Sequence, residues 1–187
     1  MKLTKSQRSN LWFLAVLIIL IVPQTRKPIQ VFLQKGLAKF SPSVIAEAKQ
    51  EQLRDYNWKL VDLSGQAYDF SQSKGHVVLV NFWATWCPPC IAEMDGLVAL
   101  HDAYKEQVDF LFISNEPPET VQSFLKQKGY KLQVYRSATA VPELLETSSI
   151  PRTLVIDKTG RVVIDKTGAS NWNSNLVHAT LEDLLKN

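Results

Sequence analysis

The chain has 187 residues, 45% of them hydrophobic and 21% charged, with two cysteines and a formal net charge of +3. This length suits one compact domain with an appendage, and the composition excludes collagen, low-complexity disorder, a polytopic membrane protein and a disulfide-stapled scaffold. The charge is unevenly spread. Residues 1–46 hold seven basic side chains and no acid, which leaves 14 basic and 18 acidic groups in 47–187, a mildly acidic remainder that argues against nucleic-acid binding.

Lys2, Lys5 and Arg8 precede an apolar run from Leu11 to Val22, which ends at Pro23 and is followed by Arg26 and Lys27. A basic flank and an apolar core have the pattern of an export signal. Twelve residues make roughly 18 Å of helix against about 30 Å of hydrocarbon, so the flanks Ser9, Asn10, Gln24 and Thr25 would have to help it span. No small-residue pair for signal peptidase follows Val22, so residues 1–27 are expected to be an uncleaved signal-anchor in the cytoplasmic membrane of a bacterium. Residues 28–57 are expected to form an amphipathic helix and a polar, helix-prone connector. Ile29, Phe32, Leu33, Leu37 and Phe40 fall on one helical face, suited to a lipid interface, to the globular domain or to a second copy.

From Trp58 to the C-terminus the pattern is that of an α/β domain. Lys59–Leu63 and Ala67–Phe70 flank Ser64-Gly65 as a hairpin, and Val77–Phe82 is an apolar strand of the kind buried on both faces. A helix is predicted over Pro88–Lys105, a strand over Val108–Ser114, a helix over Pro118–Lys128 ending at Gly129, and a strand over Leu132–Tyr135. A brief helix at Pro142–Glu146 precedes the strand Thr153–Asp157, the turn Lys158-Thr-Gly160, the strand Arg161–Thr167 and a last helix over Asn173–Lys186. The order implies a mixed central sheet covered on both sides.

Trp86-Cys87-Pro88-Pro89-Cys90 lies where the buried strand hands over to a helix. Cys87 at the helix N-terminus faces unpaired N–H groups and the positive end of the macrodipole, which favours its thiolate. Pro88 and Pro89 cost nothing in a first turn, whose N–H groups have no intrahelical partner. Cys90, one turn further in, is shielded and suited to resolve a mixed disulfide formed at Cys87. A zinc half-site and two inert core cysteines are the alternatives. Structural zinc wants four nitrogen or sulfur ligands, and the chain offers only the scattered His76, His101 and His178. No metal or organic cofactor is expected, the redox centre being the Cys87–Cys90 pair itself.

Helical projection collects Cys90, Met94, Leu97, Val98, Leu100, His101 and Tyr104 into one arc, and Glu93 falls inside it. A carboxylate on the buried stripe, one turn from Cys90, is expected to have a raised pKa and to exchange protons with the resolving thiol. The alternative is a glutamate that turns outward or pairs with a lysine. His101 reads as a satisfied core histidine. Ile150-Pro151 directly precedes a strand, where the bond can be cis or Pro151 a plain turn proline.

The stretch Val78–Met94, VLVNFWATWCPPCIAEM, with Ile150-Pro151 before the Thr153–Asp157 strand, resembles the TlpA/ResA-like thiol-disulfide oxidoreductases of thioredoxin fold. The likeness covers about Trp58 to the C-terminus. It implies a thioredoxin-like domain over 58–187 and a cis Pro151 that packs opposite the CxxC and helps hold substrate backbone. It also implies Cys87, Cys90 and Glu93 as catalytic residues, and Trp86, Pro88, Pro89, Ile150 and Pro151 around the substrate. Family members are commonly tethered or exported and many act as reductants in cytochrome c maturation, which implies protein thiol or disulfide substrates and an upstream electron-donor protein. The family usually carries Thr after the cis-proline. This chain has Arg152, expected to be a long cation beside the substrate groove that could alter partner choice, so the family's usual substrate does not carry over. The competing functions are an oxidant that inserts disulfides, and a non-catalytic adaptor or haem-pathway chaperone that uses the groove for binding.

Overall fold

The computed structural model describes residues 4–22, 28–32, 34, 36 and 39–186. Its sheet is organised around β3 (Val77–Phe82), which is buried at all six positions as a run apolar at every position but Asn81 requires. The other strands are β1 (Lys59–Asp62), β2 (Ala67–Asp69), β4 (Val108–Ile113), β5 (Val134–Ser137), β6 (Arg152–Ile156) and β7 (Val162–Thr167). They form one seven-stranded mixed sheet in the order β2-β1-β5-β4-β3-β6-β7. β3 and β4 run parallel from Val77 opposite Val108 to Phe82 opposite Ile113, while β6 runs antiparallel to β3 on its other side.

Parallel neighbours need a crossover, supplied by α2 (Pro88–Tyr104) between β3 and β4 and by α3 (Pro118–Lys128) between β4 and β5. Gly129 ends α3 in the left-handed conformation (φ 72°), with its N–H on the carbonyls of Leu125 and Lys126. With α4 (Asn175–Lys186) these helices cover one face of the sheet, where Met94, Leu97, Leu100, Val121, Val177 and Leu181 pack on Val77, Leu79 and Phe112. The opposite face, carrying Val78, Val80, Leu111 and Leu154, is closed by Leu53, Trp58, Phe70 and Leu145 from the chain before β1 and from 3₁₀ turns. The sheet is thus covered on both sides, by unlike material.

Two local expectations shift. β5 forms two residues later than the apolar pattern suggests, because its ends are set by partners: Val134 sits opposite Phe112 of β4 and Ser137 opposite Leu60 of β1. Residues 43–55, expected as a helix-prone connector, hold only a 3₁₀ turn at Glu47–Lys49. They are instead an extended strap, whose Ile45 and Leu53 N–H groups donate to the carbonyls of Val163 and Gly160. Backbone pairing with the β6–β7 turn outcompetes local helix formation.

Gly160 is where strap and turn meet most closely. Its φ is +90°, and a Cβ there would lie 2.8 Å from the Leu53 carbonyl oxygen and 2.8 Å from the Tyr56 hydroxyl. Gly160→Ala is therefore expected to destabilise the oxidised protein by about 3 kcal/mol, from left-handed strain plus loss of the strap contact. Urea unfolding monitored by tryptophan fluorescence measures it, and a change under about 0.5 kcal/mol, the range of an ordinary surface substitution, would contradict the account.

The N-terminal apolar run forms a helix that falls short of a full membrane span. The apolar run lies in α1 (Lys5–Ile21), whose 17 residues extend for about 26 Å, short of the roughly 30 Å hydrocarbon core. Among the described residues no helix is long and apolar enough to cross a membrane. Residues 28–32, 34 and 36 are helical, with Ile29 and Phe32 exposed, whereas Leu33 and Leu37 of the predicted face lie outside the described residues.

Candidate active site

The C-terminal end of β3 delivers the chain to the site. The Trp83 N–H donates to the Ile113 carbonyl, and the N–H and hydroxyl of Thr85 donate to the two carboxylate oxygens of Glu116 at 2.6 and 2.7 Å. Glu116, which sequence reasoning passed over, thereby anchors the loop that presents Trp86 and Cys87. Trp86 stands 58% exposed beside the pair.

Cys87 is the N-cap of α2, and Pro88 and Pro89 occupy the first turn, both half-buried. The Cys90 N–H points at Cys87 Sγ from 3.3 Å, the capping interaction that the placement of a thiolate at a helix start requires. Cys87 and Cys90 are joined by a disulfide, with an S–S distance of 2.07 Å and Cα atoms 5.3 Å apart. Cys90 is wholly buried, and Cys87 is 3% exposed in this oxidised state. The Ile150–Pro151 peptide is cis, and the Ile150 carbonyl oxygen lies 3.8 Å from Cys87 Sγ. Chain segments more than sixty residues apart therefore meet at the reactive sulfur. A groove of about 830 Å³ opens alongside, lined by Trp83, Trp86, Glu116, Val141, Glu146 and Ile150.

Glu93 is 2% exposed, on the buried stripe of α2 as the helical arc anticipates. Its Oε2 accepts from the Ser170 N–H at 3.1 Å and from the Trp172 indole N–H at 3.0 Å, and its Oε1 accepts from Asn81 Nδ2 at 3.2 Å. Burial pushes its pKa up to about 7, against the opposing pull of these donors. Sequence reasoning did not find Ser170, Trp172 or Asn81 as its partners.

Arg152 departs from its expectation. Its guanidinium is not free in the groove: it grips Asp165 with both Nε (2.9 Å) and Nη2 (2.7 Å) and donates to the carbonyls of Leu144 and Glu146. The cation is consumed in tying the Leu144–Glu146 segment to β7, because a planar fork satisfies a carboxylate and nearby carbonyls together. The histidines lie apart from the sulfurs and from one another. His76 meets Asp109, His178 meets the Tyr104 hydroxyl, and His101 packs edge-on to Phe110.

The family model Redoxin matches residues 39–185. The thiol-disulfide oxidoreductase ResA of Halalkalibacterium halodurans is 33% identical over 132 residues, covering 69% of this chain and 73% of that protein. The chain is a redoxin-family thiol-disulfide oxidoreductase. ResA of Bacillus cereus is 34% identical to this redoxin over 110 residues, 57% of this chain and 64% of the relative. Among solved structures, a DsbF homologue from Corynebacterium diphtheriae superposes with a TM-score of 0.59 at 18% identity, over 78% of this chain and 92% of that one, a likeness of fold. The thioredoxin-like α/β fold of the redoxin places both cysteines, the cis-proline and the buried carboxyl within one neighbourhood.

Proposed function

We propose that the protein is a disulfide reductase of extracytoplasmic protein cysteines, tethered through residues 1–27 and recharged by a dithiol donor protein. The observation that carries the reading is the Cys87–Cys90 disulfide at the start of α2, next to Trp86 and Ile150 of the groove wall, with the Ile150 carbonyl of the cis Ile150–Pro151 peptide 3.8 Å from Cys87 Sγ and buried Glu93 one turn along the helix. The reductive direction and the extracytoplasmic setting rest on the resemblance to the TlpA/ResA-like enzymes. The basic flank and the apolar run, with Leu11, Trp12, Phe13 and Leu14 exposed on α1, support the tether.

In the cycle, a donor dithiol first reduces the Cys87–Cys90 disulfide. The Cys87 thiolate then attacks one sulfur of a substrate disulfide, forming a mixed disulfide and releasing the substrate's first thiolate. Cys90 Sγ–H passes its proton to Glu93, and the Cys90 thiolate attacks Cys87 Sγ. This restores the enzyme disulfide and expels the second substrate thiolate, which takes a proton. Two electrons pass from the enzyme dithiol to the substrate, one disulfide being formed and one broken. Trp86, Pro88, Pro89 and Ile150 line the approach to Cys87, and Pro151 holds the facing wall.

Removal of Cys90 stops this cycle at the mixed disulfide. Cys90→Ala expressed in intact bacterial cells is expected to accumulate covalent adducts, separable under non-reducing conditions, with extracytoplasmic cysteine proteins. Absence of adducts would overturn the exchange reading. A catch confined to cytoplasmic proteins would overturn the location.

A further inference from the structure

Among the described residues two buried side-chain polar atoms have no partner, and one of them, Asn81 Oδ1, belongs to a residue that touches Glu93. Asn81 lies on β3 and is fully buried. Both of its amide protons are used: Nδ2 donates to Glu93 Oε1 at 3.2 Å and to Thr153 Oγ1, on β6, at 2.7 Å. Its oxygen, with two lone pairs, has nothing to accept. A buried acceptor left without a partner costs on the order of 1–3 kcal/mol, so the arrangement calls for a reason.

The two oxygens of Glu93 are not equivalent. Oε2 is held by two N–H donors, from Ser170 and Trp172, whereas the one N–H donor on Oε1 is the longer bond from Asn81, with the Thr153 hydroxyl also acting on the carboxyl. A proton arriving on the carboxyl must therefore settle on Oε1, and the acid then becomes a donor there. Against the present orientation of Asn81, an Oε1–H would meet an N–H, donor against donor. An amide's oxygen and nitrogen ends are nearly the same size, and a half-turn about the terminal torsion exchanges them in place. After it, Oδ1 faces Oε1–H and accepts from the rotatable Thr153 hydroxyl, while the NH2 end turns to the side where Oδ1 had no partner, so the turned state is held by those two bonds against the cost of its unpartnered N–H groups.

We propose that Asn81 is a positioning residue for the proton step, its amide turning with the charge of Glu93 so as to donate to Oε1 when the carboxylate is ionised and accept from it when the acid is neutral. The turn makes Oε1 the atom that carries the proton and leaves Oε2 fixed. This rests on the reading that Glu93 exchanges a proton with Cys90. The groups facing the carboxyl are Asn81 from β3, Thr153 from β6, and Ser170 and Trp172 from the segment before α4, with Cys90 one turn away on its own helix. No lysine, arginine, histidine or second carboxylate is among the groups that shift it.

The test follows the side-chain amide of Asn81 and the carboxyl carbon of Glu93 together by NMR, in the full oxidised chain labelled with nitrogen-15 and carbon-13, through neutral pH. The expected result is a change in both Asn81 amide proton shifts with the same midpoint as the Glu93 carbon. An Asn81 signal that stays flat while Glu93 titrates would overturn the proposal. Kinetically, Asn81→Val is expected to slow release of the mixed disulfide about tenfold, with no further loss when added to Glu93→Gln. Fully additive losses in the double variant would also overturn it. If the amide follows Glu93 but Glu93→Gln leaves release unchanged, the turning of Asn81 stands and the proton-transfer reading of Glu93 fails.

Discussion

Cys87→Ser is expected to lower disulfide exchange by at least about 1,000-fold, while Cys90→Ser retains the first half of the reaction and stalls after one equivalent of thiolate is released. The asymmetry follows from the two positions. Cys87 caps α2 and has the Cys90 N–H directed at its sulfur, so the helix start is already arranged to hold a negative charge there. Cys90 is wholly buried, and nothing in the fold gives it a path to a substrate sulfur once Cys87 is gone. The measurement is stopped-flow reduction of a small aromatic disulfide by each pre-reduced variant, counting released thiolate per protein. A Cys87→Ser protein retaining a tenth of the parent rate would reverse the roles assigned to the two sulfurs. In cells the same substitution separates catalysis from binding. If the phenotype of a deletion is rescued fully by Cys87→Ser, the groove serves an adaptor or chaperone and the exchange chemistry is incidental.

Much of this site is legible in the sequence because it is local. The CxxC, the two prolines, the preceding apolar strand and Glu93 lie within Val77–Met94, and the alternation of strand and helix periods fixes which ends of which elements they occupy. The hairpin at Ser64-Gly65 is equally local, Asp62 Oδ1 accepting from the N–H groups of Ser64 and Gln66 around a left-handed Gly65. What stays hidden depends on long-range, directional contacts. Trp172 sits in a polar stretch, Ser170-Asn-Trp-Asn-Ser174, at the predicted start of the last helix. Its indole N–H reaches a carboxyl 79 residues away. Arg152 is visible as a departure from the family pattern, but its direction is set by Asp165 across the β6–β7 pair, which no local pattern reveals. The strap at 43–55 is the clearest override. Its residues favour a helix, and pairing with the chain at Gly160–Val163 draws them out straight.

Among the side-chain carboxyls the largest shift belongs to Glu93. Unfolded, its carboxyl titrates near the ordinary value of 4.5, and in the fold burial raises it to about 7. Between those values the native state keeps a proton that the unfolded chain has lost, so stability falls as pH rises. The contribution is fully present below about 4.5, declines through the interval and is gone above 7. An interval of roughly two and a half pH units is worth about 3 kcal/mol. Glu93→Gln cannot ionise and lacks this dependence. The difference in unfolding free energy between parent and Glu93→Gln, both oxidised, is accordingly expected to shift by about 3 kcal/mol in favour of the variant between pH 4 and pH 8. Groups common to both proteins cancel in that difference, including Asp69, whose carboxyl beside Lys59 is lowered to about 2. Urea titrations at intervals across the range measure it, and parallel curves would show that Glu93 is not neutral in the acid-side native state. The same substitution is expected to slow resolution of the mixed disulfide about 100-fold near neutral pH, the scale of a lost general base, and to flatten the pH dependence of Cys90 alkylation in the reduced protein. Stability and rate then move oppositely above pH 7. A carboxyl with a purely structural role would alter the stability profile and leave the alkylation profile unchanged, so the pair of measurements distinguishes a proton carrier from a buried strut.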